Sequence, residues 1–122
     1  EHLPIYKKAF DLNLYFEKTV RNFSRYHKYT PGTELRDRAR EIVKLIVRAN
    51  NRQDKLETLI ELREELEQIK LTIHLCKEVK AFHNFNSFQV AVNHVIDISK
   101  QNEGWIKSLS RKDERHGRNP RS

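Results

Sequence analysis

Aromatic rings and cationic side chains alternate in one short segment, FSRYHKYTPGTELRDRAR, at residues 23–40. Cations can neutralise the phosphates of a nucleic acid, and aromatic rings can stack on its bases. Tyr26, His27 and Tyr29 are the candidates for stacking. The opposing interpretation packs the tyrosine rings on a core and leaves their hydroxyls in water. We predict that the Tyr26 ring packs on the core, and for Tyr29 both interpretations stay open.

The cations around this segment recur at helical spacing. Arg25 follows Arg21 by four residues and Lys28 follows it by seven, so a continuous helix would place the three in one row. A second row after the Pro-Gly pair repeats the four-residue step, and the C-terminal segment adds further cations. The predicted nucleic-acid-binding residues are Arg21, Arg25, Lys28, Arg36, Arg40, Lys44, Arg48, Arg111 and Lys112.

Each of these cationic groups has an alternative interpretation. The two rows are either a phosphate-binding surface or a solvated face on which Asp37 and Glu41 pair with the arginines. The C-terminal cations are either a flexible arm that binds RNA without sequence preference or a solubilising end. The sequence leaves both alternatives open.

The sequence contains no arrangement suited to catalysis or to a metal ion. His74 and Cys76 are two residues apart, so on a helix they point in different directions, unlike the i,i+4 pair that binds zinc. Glu-x-x-His, which a di-metal carboxylate bundle uses, is absent. A phosphate-cradling glycine loop and a nucleophile elbow are absent as well. We therefore expect no enzyme activity, no metal and no cofactor.

The composition favours an all-helical domain with a phosphate-rich partner. Glycine and proline number three each in 122 residues, too few for the many turns of a sheet-rich fold. The formal net charge is +7, and its excess lies in residues 1–50 and after residue 109. Cys76 is the only cysteine, which favours a reducing, cytoplasmic setting. No apolar run is long enough to span a membrane.

Apolar residues at steps of three and four predict four amphipathic helices. The TPGTE segment is the predicted turn between the first two, with Thr33 as the cap of the second helix. Short connections predict an up-down-up-down four-helix bundle over residues 1–109, followed by a basic flexible tail over residues 110–122. The predicted helices run from Leu3 to about Tyr29, from Thr33 to about Asn50, from about Gln53 to Ala81, and from Asn86 or Ser87 to about Leu109.

The first and third predicted helices carry more apolar residues than one small bundle needs to bury. Such surface commonly meets another copy of the same chain, so we predict self-association. These second apolar rows are Tyr6, Phe10, Leu14 and Tyr15 on the first helix, and Ile60, Leu71, Leu75 and Val79 on the third. The residues expected in the oligomer interface or the core are Tyr15, Phe16, Leu71, Leu75 and Trp105.

Three segments of the chain resemble one known family. They are YFEKTVRNFSRYHKYTPGTELRDRAREIVKLIVRAN at residues 15–50, LIELREELEQIKLTIHLCKEVKAF at residues 59–82 and VIDISKQNEGWIKS at residues 95–108. The family is the accessory variability determinants, which are related to the four-helix proteins encoded in ribosomal RNA intervening sequences. The RYHKYTPG turn and the Gly-Trp-Ile end of the fourth helix are the most specific elements.

The resemblance implies a four-helix protomer that assembles as a homopentameric ring with a basic surface. In diversity-generating retroelements such a ring is the non-catalytic partner of a reverse transcriptase, which copies template RNA into cDNA with frequent errors at adenines. The implied partners are the polymerase, RNA or DNA, and further copies of the chain, with no membrane. The alternative function is that of a four-helix structural or interaction protein of the ribosomal intervening-sequence type, with no nucleic-acid role.

Overall fold

The computed structural model describes residues 3–117, with side chains through Arg111, and this part of the chain contains helices and no strand. Four long helices pack in a closed square, α1 against α3, α3 against α4, α4 against α5 and α5 against α1. Successive long helices are antiparallel because their connections are short, which confirms the predicted all-α four-helix bundle. The helices are α1 (Pro4–Arg21), α2 (Arg25–Lys28), α3 (Pro31–Asn51), α4 (Leu56–Glu78) and α5 (Phe85–Gly117).

The first predicted helix is interrupted. α1 ends at Arg21, and α2 begins after Ser24, whose hydroxyl oxygen accepts a hydrogen bond from a backbone N–H of α2 at 3.4 Å. Between the two helices Phe23 turns inward to 4% exposure. Its ring meets that of Phe82 edge-on, with centroids 5.5 Å apart. The prediction of one continuous first helix is therefore wrong, because burial of Phe23 and the serine cap together end α1 early.

The Pro-Gly pair begins a helix and does not form the predicted turn. Pro31 is the first residue of α3, a position where its missing N–H is not needed. Thr33 consequently lies inside α3 and is not its cap. A Cβ on Gly32 would lie 2.7 Å from Cγ1 of Val20 and 3.1 Å from the carbonyl oxygen of His27. Glycine is therefore needed here because two segments approach each other closely.

We expect Gly32→Ala to lower the free energy of unfolding by about 1–3 kcal/mol, the range for overpacking a closed contact. Val20 is fully buried, so its side chain cannot move outward into solvent without leaving the core. Gly104→Ala is the matched control, because a Cβ there meets no atom within 4 Å and alanine favours the helix by about 0.5–1 kcal/mol. Urea unfolding measures the free energy of unfolding of both variants. A Gly32→Ala protein as stable as the original chain would contradict the close contact.

The remaining helix ends lie a few residues from their predicted positions. α4 is shorter than predicted at both ends. α5 begins at Phe85, because Asn84 caps it instead of Asn86 or Ser87: the Asn84 side-chain oxygen accepts a hydrogen bond from the Ser87 N–H at 2.8 Å. The same helix continues to Gly117, past the end predicted near Leu109. Residues 118–122, the last part of the predicted tail, lie outside the described residues.

The core is formed by the inward stripes of all four long helices. α1 contributes residues at steps of three and four, and Phe16 is the largest of them that is fully buried. Cys76 of α4 is also fully buried, and burial raises the pKa of its thiol to about 12, with the negative charge of Glu34 acting in the same direction. Among residues 3–117, no helix has the length and apolar character of a membrane span.

Candidate nucleic-acid interface

Two arginines at the start of the predicted α3 row are engaged by carboxylates. The guanidinium of Arg40 lies 3.1 Å from Glu17 of α1 and 3.1 Å from Asp37 of its own helix. Arg36 lies 3.9 Å from the same Glu17. The two ion pairs with Glu17 connect α3 to α1. A guanidinium held by carboxylates is less available to the phosphate of a nucleic acid.

Of the two remaining cations of this row, one has a carboxylate partner and the other has none among the described side chains. The guanidinium of Arg48 lies 3.2 Å from Glu61 of α4, so it connects α3 to its other neighbour. Lys44 is exposed, and no carboxylate of residues 3–111 lies within 4 Å of it. Three of the four predicted cations of α3 thus have partners within the protomer.

A further arginine, which was not among the predicted binding residues, strengthens the α3–α4 contact. Arg38 lies 3.0 Å from both Glu34 and Glu65. The hydroxyl of Thr72 on α4 donates to the same Glu34 oxygen at 2.7 Å. These hydrogen bonds, that of Thr72 first and then that of Arg38, hold the pKa of Glu34 below its usual value. Most of the positive charge of α3 therefore stabilises the bundle.

The predicted cations that precede α3 have no such partners. Arg21 and Arg25 are exposed and Lys28 is half-buried. Within the described side chains, none of the three lies within 4 Å of a carboxylate. The sequence explains this, since no Asp or Glu occurs between Glu17 and Glu34. The prediction of one row is wrong, because the chain changes direction after α1 and the three cations lie around one end of the bundle.

A second acid-free segment reaches the same end. No Asp or Glu occurs between Glu78 and Asp97, a stretch that includes the α4–α5 connection. The edge-on contact of Phe23 with Phe82 brings this connection beside the end of α1. Lys77 and Lys80 are exposed here, with Lys77 3.6 Å from Glu78. We name this surface the basic end, defined by Arg21, Arg25, Lys28, Lys77 and Lys80.

Exposed aromatic rings lie among these cations. Tyr26 is 81% exposed, and its ring contacts that of His27 edge-on at 5.1 Å. The prediction that Tyr26 packs on the core is therefore wrong, because α2 is a single turn that projects it outward. Tyr29 and Phe85 are also exposed. Phe85 was not among the predicted residues, and the acid-free stretch around it is the signal in the sequence that indicates it.

The bundle also carries two outward apolar patches. The α1 patch consists of Phe10 and Leu14, and Leu14 is 55% exposed. The α4 patch consists of Leu71, Leu75 and Val79, and Leu71 is 64% exposed. α1 and α4 are diagonal in the bundle, since each packs on α3 and α5. The two patches therefore face different directions.

The other residues predicted for the interface or the core pack within the protomer. Phe16 is fully buried. Tyr15 is half-buried, and its hydroxyl donates to the carbonyl of Ser87 at 2.7 Å, which joins α1 to α5. Trp105 is half-buried against the edge of the core, near the N-terminus of α1. Of the C-terminal cations, Arg111 is exposed and the Lys112 side chain lies outside the described residues.

The described residues define a small four-helix bundle with a cationic end and apolar patches on its outer faces. Among residues 3–111, no three His, Cys, Asp or Glu side chains form a group that could hold a metal ion. The bAvd-like family model matches residues 3–109, and the chain belongs to this family. The match confirms the family resemblance of the sequence, and the chain is an accessory protein of the retroelement type, from a non-catalytic family. A comparison with curated proteins finds no match.

Proposed function

We propose that the chain is a cytoplasmic, non-catalytic subunit of a retroelement reverse transcriptase, which binds the polymerase and template RNA or cDNA and supports mutagenic cDNA synthesis. One observation carries the proposal: two acid-free segments meet at the basic end. This leaves Arg21, Arg25, Lys28 and Lys80 without a carboxylate partner among the described side chains. Membership of the bAvd-like family supports the accessory role.

Binding through these cations should depend strongly on salt, because each neutralised phosphate releases counterions. Four phosphate contacts predict a slope of roughly −3 in log affinity against log salt for each bound protomer on a single strand. Titration of a fluorescently labelled RNA at several salt concentrations measures the slope. Absence of binding, or binding that does not weaken with salt, would contradict the proposal.

Self-assembly is the second part of the proposed function. Contact between the α1 patch of one copy and the α4 patch of the next uses two different surfaces, so it is heterologous and closes into a ring if the rotation permits. Leu14 lies seven residues before the end of α1 at Arg21, and Leu71 lies seven before the end of α4 at Glu78. α1 and α4 run in the same direction, so the patches lie at similar heights along the bundle. If neighbouring copies pack with parallel bundle axes, a contact between patches at equal heights repeats without a rise, as a closed ring requires.

A ring of this kind would collect the basic ends. Cyclic symmetry places the same end of every protomer on one face of the ring. The family resemblance implies five protomers. Weak phosphate contacts repeated around one face raise the overall affinity for a long RNA through effective concentration, without any new contact.

One observation favours the alternative function, an interaction protein with no nucleic-acid role. The arginines of the α3 row pair with Glu17, Asp37 and Glu61, so this half of the predicted binding surface serves the fold. The RNA titration separates the two functions, because an interaction protein of this type would bind the RNA neither tightly nor with a salt slope.

A further inference from the structure

The α4–α5 connection forms an aromatic groove of about 400 Å³ that no predicted site includes. We propose that it binds single-stranded nucleic acid, with one base stacked on Phe85 and the neighbouring phosphates held by Lys77 and Lys80. The inference rests on the proposed function, since it specifies the form of nucleic acid that the basic end takes. The groove is lined by Lys77, Lys80, Phe82, His83, Asn84, Phe85 and Phe88.

Phe85 is an exposed ring on a rigid support. It is 63% exposed, yet its centroid lies 5.5 Å from that of the buried Phe88. Phe88 in turn contacts Phe82 at 6.1 Å, and Phe82 contacts Phe23 at 5.5 Å. The outer ring is therefore backed by an aromatic cluster that reaches into the core. A ring already held in place loses little conformational entropy when a base stacks on it.

The backbone and charge of the groove fit a phosphate. Lys80 has a φ of 61°, a left-handed conformation in which glycine is the usual residue. Ala81 N–H donates to the Cys76 carbonyl at 2.8 Å, which fixes this turn. A lysine at a strained position is a reason to look for a function, and Lys80 lines the groove. The ammonium of Lys77 lies 5.2 Å from the centroid of the Phe88 ring, on the same groove. Its contact with the exposed Glu78 carboxylate, at 3.6 Å, must yield to the phosphate, so Lys80 is the stronger of the two phosphate ligands.

A single strand fits this geometry better than a duplex. Bases inside a duplex are stacked on one another, so a protruding ring cannot reach their faces, whereas an unpaired base offers an open face. The groove volume of about 400 Å³ lies at the lower end of the range of sites for small ligands. The acid-free stretch at residues 79–96 lets the strand continue toward Arg21 and Arg25 without crossing a carboxylate of that segment.

A tryptophan reporter tests the stacking directly. In a Phe85→Trp chain that also carries Trp105→Phe, the groove would hold the only indole, and we expect oligothymidylate to quench its fluorescence strongly. The original chain is the control, because its only tryptophan, Trp105, lies about 30 Å along α5 from Phe85. Its fluorescence should change little. A matched duplex should quench neither protein.

Affinity measurements test the same site independently. Phe85→Leu should weaken binding of the single strand about 5- to 150-fold, the factor for losing one stacked base, and leave duplex binding unchanged. Phe85→Tyr keeps the ring and should bind as the original chain does. Lys80→Gly removes the ammonium while suiting the left-handed backbone, so it should weaken binding without lowering the melting temperature.

The outcomes separate this inference from the proposed function. The first case is that the original chain binds RNA with a salt slope, Phe85→Leu binds single strands equally well, and the indole at position 85 is not quenched. The groove proposal is then overturned, and the proposed function stands. The same holds if Phe85→Leu abolishes only binding of the polymerase, because the ring then serves a protein partner. If the original chain binds no nucleic acid, both are overturned.

Discussion

Replacement of Arg21, Arg25 and Lys28 by alanine should weaken RNA binding roughly 10- to 100-fold near 0.15 M salt. It should also reduce the salt slope by about 2, since each lost contact to a single strand removes about 0.7 from the slope. The fold should be unaffected, because no carboxylate of residues 3–111 pairs with these side chains. Fluorescence anisotropy with labelled RNA at several salt concentrations measures both quantities.

The chain supplies a control with the same change in net charge. Arg36, Arg40 and Arg48 are also three cations, but they pair with carboxylates of α1, α3 and α4. Their replacement by alanine should cost stability, no more than about 1 kcal/mol for each exposed pair, and should affect RNA binding much less. Equal losses of affinity in the two triple variants would show that overall charge, and not the basic end, binds the RNA.

Conversion of Leu71 and Leu75 to lysine should change the mass in solution from that of an assembly to that of the 14.7 kDa protomer. Both side chains are more than half exposed in the protomer, so the bundle itself tolerates lysine. In a ring, the apolar contact would bury two charges without partners, at a cost of several kcal/mol for each. Size-exclusion chromatography with light scattering measures the mass.

Ile60→Lys is the matched control for this experiment. Ile60 is a partly exposed apolar residue of the same helix, but it lies eleven residues before Leu71, roughly 16 Å along the axis. The Ile60→Lys variant should therefore have the same mass in solution as the original chain. An original chain that is already a protomer, or a double variant that remains assembled, would remove the support for a ring built on the α4 patch.

The periodic part of the fold was predictable because burial follows spacing. Ile5, Ala9, Leu12, Phe16 and Val20 recur at steps of three and four, and all of them are buried. The break after α1 was not predictable in this way, because Phe23 continues the same spacing. Its inward turn depends on Phe82, a residue far along the chain, and no local pattern shows that contact.

The types of residue in the candidate site were predictable from the sequence, whereas their positions on the bundle were less so. The sequence identified Arg21, Arg25 and Lys28, and the structure leaves them available. It could not show that Glu17 takes up Arg36 and Arg40, since this depends on how α1 and α3 align. Phe85 was missed for a similar reason, because the start of α5 and the packing of the connection decide its exposure.

The burial of Cys76 should make the folded protein react slowly with thiol reagents. Its thiol stays protonated near neutral pH, and only the thiolate reacts with an alkylating dye. Because the chain has no other cysteine, a cysteine introduced on the surface would carry a fluorescent label alone, with no need to remove the native one. Slow alkylation of Cys76 itself would report how often α4 separates from its neighbours.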